Sequence, residues 1–140
     1  LMDKSTNAKL MNIAERILNA DRNTCPLFKR KDAGNEVIYE SYNGQISSLG
    51  VSILTIGLKP SISVFYQDAP KQEGEYNDAY RRVILEVIAK MLSQYRDNYH
   101  FNNARELCRA VINDARDSMK TDIINCSIAL KEVIRTYKLG

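Results

Sequence analysis

Apolar residues recur every three or four positions along most of this chain of 140 residues, and that spacing constrains the fold more than any other feature. It is clearest over residues 76–95, where apolar side chains hold one helical face from Tyr76 to Tyr95. A helix with one apolar stripe is stabilised when the stripe packs against other elements. The spacing therefore predicts an all-α fold, in which residues 1–140 form a single compact bundle of five to seven helices. We expect residues 1–4 to be flexible.

The boundaries of the predicted helices follow from caps, glycines and prolines. Ser5 or Thr6 is expected to cap a first helix, whose apolar face runs from Leu10 to Leu18. The polar stretches 21–34 and 68–75 contain proline and glycine and are predicted loops. Helices are also predicted over residues 76–95, over 104–115 and from about 121, the last with apolar positions Ile123, Ile124, Ile128, Leu130, Val133, Ile134 and Tyr137.

Residues 39–67 form a largely apolar segment that Gly50 and Gly57 divide. Helical spacing resumes at Ile38 and continues across Asn43-Gly44. This dipeptide signals a hairpin when it separates two strands. Because the flanking residues keep the helical spacing, we predict a weakened helix there instead. The β-branched stretch 51–56 leaves a strand as the alternative. Pro60 suits the first turn of a following helix. Two elements that meet at an angle in an apolar segment are typical of an interaction surface.

Composition narrows the class of protein. The chain is 44% hydrophobic and 26% charged, as in ordinary globular proteins, and its net charge is +3. The longest nearly apolar run, residues 51–58, is far too short to span a membrane. The N-terminal residues lack the apolar core and cleavage site of a signal peptide. We therefore expect a cytoplasmic protein with no membrane partner.

Residues with catalytic or metal-binding chemistry are few and scattered. Cys25, Cys108 and Cys126 are far apart and form no C-x-x-C pair, so they predict neither a disulfide framework nor a zinc site. His100 is the single histidine and has no nucleophile and orienting carboxylate beside it in the sequence. No phosphate-binding glycine motif is present. We expect no catalytic residue, no metal and no cofactor, and hence a protein that is not an enzyme.

Basic residues are the more informative polar feature. Lys29-Arg30-Lys31 is the tightest cationic cluster, and Lys131, Arg135 and Lys138 recur at helical spacing near the C-terminus. Any single cation is more often part of a solvated face that pairs with neighbouring acids. Charge placement nevertheless selects seven candidates for contact with a polyanion: Lys29, Arg30, Lys59, Arg81, Arg82, Lys131 and Arg135.

Residues 39–67 resemble the small α-helical subunit of CRISPR type III-B effector complexes, the Cmr complexes. The matching features are Tyr39 and Tyr42 at a helix start, Ile56-Gly57-Leu58 at its end, and a short helix from Ile62 to Tyr66. Near the C-terminus, Ala129-Leu130-Lys131 corresponds to the family's aliphatic-Trp-Leu-Lys pattern, with alanine in the place of tryptophan.

The resemblance implies a structural subunit without catalytic activity, which stacks along the backbone of an RNA-guided complex in antiviral defence. Its partners would be the other Cmr subunits, copies of itself, and the backbones of crRNA and target RNA, bound without sequence preference. The seven cations above are then the candidate RNA-binding residues. The alternative is a helical adaptor or regulatory protein that binds a protein partner through its tyrosine-rich faces.

Overall fold

A computed structural model describes residues 2–20, 22–29, 37–72, 74–114 and 116–140, with Asp114 described for its backbone only. This part of the chain contains six α-helices and two very short strands, which confirms the all-α bundle. The elements are α1 (Lys4–Ala20), β1 (Val37–Ile38), α2 (Ser41–Ile56), α3 (Leu58–Gln67), α4 (Arg82–Tyr95), α5 (Ala104–Asp114), α6 (Asp117–Ile134) and β2 (Lys138–Leu139).

Helices α4 and α6 form the centre of the bundle. Helix α4 packs against α1, α3, α5 and α6, and α6 packs against α1, α2 and α4. Apolar side chains that are fully buried line these contacts, among them Ile84, Ile88, Leu92, Ile123 and Leu130. Helix α2 lies further out, against α3 and α6.

The first helix begins earlier than its expected cap. The Oδ1 atom of Asp3 accepts the backbone N–H of Thr6 at 2.7 Å, so Asp3 is the capping residue and the prediction of Ser5 or Thr6 is wrong. This hydrogen bond also holds the pKa of the Asp3 carboxyl below its usual value. Met2 is partly buried against the core.

Residues 39–67 form two helices that meet at Gly57. Helix α2 runs through Asn43-Gly44 without a hairpin and includes residues 51–56, which removes the strand alternative. Gly57 has φ 98° and ψ 165°, a conformation that side-chain-bearing residues avoid, and Pro60 follows in the first turn of α3. The hydroxyl of Ser61 donates to the Gly57 carbonyl at 2.7 Å, and the Oγ atoms of Ser52 and Ser61 are 2.7 Å apart, which ties the two helices together.

Ile38 is not helical, contrary to the expectation from its spacing. It lies in β1, which pairs in parallel with β2, so that Val37 faces Lys138 and Ile38 faces Leu139. The backbone N–H of Gly140 donates to the Ile38 carbonyl at 3.0 Å, and the Glu40 N–H donates to the Gly140 carbonyl at 3.0 Å. At Ile38 this long-range strand pairing determines the backbone conformation, although the apolar spacing favours a helix.

Helix α4 begins at Arg82, six residues later than the periodicity predicts, because Asp68 satisfies the first amides of the helix. The Asp68 carboxylate accepts the Arg81 N–H at 3.0 Å, and the Asp68 carbonyl accepts the Arg82 N–H at 3.0 Å. Tyr80 is held outside the helix, where its carbonyl accepts the hydroxyl of Tyr42 at 3.1 Å.

Helix α6 starts at Asp117, earlier than predicted, and ends at Ile134. Tyr137 therefore lies beyond the helix. Ile128, one of the apolar positions of the predicted helix, is not part of the buried face, because its side chain is 42% exposed. This helix also buries the charged side chain of Asp122, whose carboxylate accepts hydrogen bonds from Arg96 Nε at 2.7 Å and from the Tyr99 hydroxyl at 2.9 Å. Burial and this carboxylate raise the pKa of Tyr99 to about 12.

A Gly57→Ala substitution is expected to lower the free energy of unfolding by about 1–3 kcal/mol, because alanine is strained at a positive φ of 98°. Gly44→Ala is the matched control: nothing lies within 4 Å of the added Cβ. Since alanine favours a helix over glycine, this control should gain about 0.5–1 kcal/mol. Urea denaturation measures both values. Equal stabilities of the two variants would contradict the backbone geometry at Gly57.

Candidate functional site

Helix α2 carries no charged residue over its 16 residues, although 26% of the whole chain is charged. One side of the helix is buried, through Tyr42, Ile46, Leu49 and Ile53. The opposite side is open to solvent and uncharged: it carries Val51, 63% exposed, and Leu54, 71% exposed, beside the exposed polar residues Ser48 and Thr55. A water-facing helix surface normally carries charged side chains, so this surface is unusual for a bundle.

Helix α6 extends this surface. The ammonium of Lys131 donates a hydrogen bond to the hydroxyl of Ser47, and the position of a Cβ on Gly50 would be 4.0 Å from Ser127 Oγ, so the two helices run antiparallel. Because the helices are antiparallel, residues that precede Lys131 on α6 lie beside residues that follow Ser47 on α2. Ile128 is about one turn before Lys131, and Val51 is about one turn after Ser47, so the two lie on the same side. We call the exposed residues Val51, Leu54 and Ile128 the α2 face.

The α2 face has the composition of a protein-binding surface. The centres of protein interfaces are depleted in charge, whereas a solvated helix surface is enriched in it. Ile56 and Val64 add two further exposed apolar side chains at the end of α2 and on α3, 54% and 45% exposed. Four of these exposed apolar residues fall in the segment 39–67, for which glycine placement indicated an interaction surface.

Basic residues from distant parts of the sequence meet at the small sheet. The backbone N–H of Lys29 donates to the Val37 carbonyl at 2.8 Å, and Val37 is paired with Lys138. Lys29 and Lys138 therefore lie on either side of one strand, about a hundred residues apart in sequence. Arg135 is exposed in the turn before β2. We call Lys29, Arg135 and Lys138 the basic corner.

Aromatic rings hold the basic corner in place. Phe28 and Tyr137 pack edge to face with centroids 5.6 Å apart, and the Arg22 guanidinium lies 5.8 Å from the Phe28 centroid. The Tyr137 hydroxyl donates to Glu15 Oε1 at 2.8 Å, and burial together with this carboxylate raises the pKa of Tyr137 to about 12. The Lys29 ammonium is 5.4 Å from the Tyr39 ring centroid. Because Phe28 is buried, this packing positions the cations of the basic corner, which suit a phosphate backbone.

The other predicted cations occupy separate positions. Arg30 lies outside the described residues. Lys59 is exposed on α3. Lys131, Arg135 and Lys138 do not form one helical stripe, because α6 ends at Ile134, and that interpretation of their spacing is wrong.

Arg81 and Arg82 stabilise the chain between α3 and α4. Arg81 Nε is 3.1 Å from Asp68 Oδ2, in an ion pair that is about one-third exposed on both sides. The guanidinium carbon of Arg82 lies 3.8 Å from the Tyr66 ring centroid. Their charges thus have internal contacts as well as access to solvent.

Across the described ranges, no group of three His, Cys, Asp or Glu side chains could hold a metal ion. Burial raises the pKa of the Cys126 thiol, which disfavours the reactive thiolate. None of the described helices is both long enough and apolar enough to cross a membrane.

Comparison with known proteins gave no relative: no family model matches the chain, and no curated protein or solved structure is similar to it. The functional assignment of the α2 face and of the basic corner therefore depends on the residues of this chain alone. The sequence does contain a signal for the α2 face, the absence of charge over residues 41–56. It also places Lys29 and Arg135 in local clusters of charge, but it contains no signal that these clusters meet, since strands of two residues leave no periodic pattern.

Leu54→Glu and Leu49→Glu test which side of α2 is open. Leu54 is 71% exposed, so its substitution should change the free energy of unfolding by no more than about 0.5 kcal/mol. Leu49 is fully buried, and a glutamate there should cost at least about 4 kcal/mol or abolish folding. Thermal unfolding followed by circular dichroism compares them. Similar melting temperatures for the two variants would mean that α2 is oriented differently.

Proposed function

We propose that this protein is a non-catalytic structural subunit of an RNA-guided effector complex of CRISPR type III-B. In this role the α2 face packs against a neighbouring subunit, which is another protein of the complex or a further copy of this chain. The basic corner faces the backbone of crRNA or target RNA. Base pairing then reads the sequence, and the protein contributes charge and shape.

The exposed, uncharged surface of α2 is the observation that carries this proposal. Burial of the three residues of the α2 face would yield roughly 3–5 kcal/mol, after allowance for the surface that is already covered. That gain is too small for a tight binary complex once the cost of association is subtracted. It is appropriate for a subunit that several neighbours hold at once, where each contact adds to the avidity of the assembly. The resemblance of residues 39–67 to the Cmr small subunit supports the same role.

The modest charge of the chain is compatible with an RNA contact that many subunits share. Lys29, Arg135 and Lys138 could neutralise only a few phosphates in each copy, and the net charge is +3. Each phosphate contact releases counterions, so a row of such subunits binds RNA through many small, salt-sensitive contributions. The isolated chain is expected to bind RNA weakly and without sequence preference.

A helical adaptor outside any ribonucleoprotein is the second candidate function. The α2 face favours it as much as the first, because an apolar surface without charge suits any protein neighbour. Only the basic corner and the family resemblance distinguish the two functions. The presence of RNA in the purified complex is therefore the decisive observation.

Affinity purification of the full-length tagged chain from the cells that produce it tests the assembly role. The wild-type chain should recover a large polymerase-like subunit, several backbone subunits and a short guide RNA. Leu54→Glu should lower that recovery at least about tenfold, because it places a charge in an apolar contact. Ile112→Glu is the control, since Ile112 is also exposed, at 37%, but lies on α5. Recovery of protein partners without guide RNA would favour the adaptor, and equal recovery with both variants would rule out the α2 face.

Charge reversal at the basic corner tests the RNA contact. Arg135→Glu together with Lys138→Glu should weaken capture of target RNA by the assembled complex about tenfold near physiological salt, with a larger effect at low salt and a smaller one at high salt. Lys4→Glu together with Arg16→Glu is the control, because both residues are exposed on α1 and the change in charge is the same. Filter binding of labelled target RNA measures the effect. Equal losses in the two double variants would point to net charge rather than to this corner.

A further inference from the structure

A cavity of about 510 Å³ opens between the end of α3, the connection to α4, and the first turns of α4 and α5. This volume is within the range of small-molecule sites. None of its lining residues belongs to the α2 face or the basic corner. The side chains that define its chemistry are Tyr66, Lys71, Tyr76, Arg82, Glu86 and Arg105.

A guanidinium held flat on an aromatic ring forms one wall of this cavity. The guanidinium carbon of Arg82 is 3.8 Å from the Tyr66 ring centroid, and Arg82 Nε donates to the Tyr66 carbonyl at 2.5 Å. The hydrogen bond and the stack together fix the plane of the cation. Nucleobases stack on both aromatic rings and guanidinium planes. A planar ring that enters the cavity would thus meet a surface already ordered for stacking.

The charge of the lining is positive overall. Lys71 and Arg105 are exposed, and neither forms an ion pair with any acid in the described part of the chain. Glu86 is the one carboxylate among the lining residues that the structure describes, and its Oε1 accepts the backbone N–H of Ala104 at 2.6 Å, at the start of α5. Among the described lining residues, three cations and one carboxylate leave a net charge of +2, which suits a phosphate group.

We propose that this cavity binds a single phosphorylated nucleotide unit. The base stacks on the plane of Arg82, beside the ring of Tyr76, and the phosphate lies between Lys71 and Arg105. The bound unit is either a free mononucleotide or one nucleotide of a single-stranded RNA, because both present the same base and phosphate. The proposal does not depend on the role in an effector complex.

Titration of the full-length chain with AMP, UMP, inorganic phosphate and a ten-nucleotide single-stranded RNA tests the site. Amide chemical shifts report whether the residues around the cavity respond, and calorimetry gives the dissociation constants. Arg105→Ala and Lys71→Ala should each weaken binding about threefold to tenfold, as expected for the loss of a charged hydrogen bond. Arg109→Ala, one turn further along α5, is the control and should change the constant less than about twofold, because it does not line this cavity.

The choice of ligands distinguishes a free nucleotide from an RNA strand, and it distinguishes the stacking of the base from the binding of the phosphate. Binding of AMP or UMP that depends on Arg105 supports a site for a free nucleotide. Binding of the oligonucleotide alone, with the same dependence, supports a site on an RNA strand. Inorganic phosphate that binds as tightly as AMP would overturn the stacking of the base. No response at the cavity, or full affinity in both Arg105→Ala and Lys71→Ala, would overturn the site.

Failure of this site and failure of the proposed function have different signatures. Arg105→Ala should leave the recovery of partner subunits through the α2 face unchanged. A chain that binds nucleotide in the cavity but recovers no partner proteins would retain the site and lose the assembly role.

Discussion

Burial of α4 on almost every side is the constraint on which the rest of the structure depends. Eight of its fourteen residues are buried, including the consecutive residues Val83, Ile84 and Leu85, which point in three different directions around the helix axis. A helix that is apolar on so many sides must be enclosed. The surrounding helices α1, α3, α5 and α6 do this, and α2 packs in the layer beyond, on α3 and α6. The second layer has one side that the chain does not cover, and the α2 face lies there.

The spacing of apolar residues was enough to predict the helices, but not where they end. The start of α4 at Arg82 depends on Asp68, thirteen residues before Arg81. The absence of helix at Ile38 depends on its pairing with a strand a hundred residues away. Contacts between residues so far apart in sequence cannot be recognised from the pattern of a short stretch of residues. The periodicity also placed Ile128 among the apolar positions of its helix, but apolar spacing alone does not distinguish a buried face from an exposed apolar one.

The candidate cations show the same limit of prediction from sequence, which does not reveal which distant residues come together. Sequence placement could rank Lys29 and Arg135 as members of local clusters, but it could not show that the two clusters meet at β1 and β2. It also could not show that Arg82 is held on Tyr66 or that Lys131 is bound to Ser47. A cation that is engaged within the fold is still charged, but its position is fixed. That fixed position makes the Arg82 plane a candidate part of a binding site rather than a mobile surface group.

The hydrogen bond between Lys131 and Ser47 gives the α2 face a direction. It fixes a positive charge at one edge of a surface that otherwise consists of Val51, Leu54 and Ile128. A partner that places a carboxylate at this edge compensates the ammonium, whereas the same partner turned end for end would cover it with apolar groups and leave it uncompensated. Burial of an unpaired charge costs several kcal/mol, comparable to the whole apolar gain of the face. An otherwise uncharged surface would thus discriminate between the two polarities of a segment bound to it.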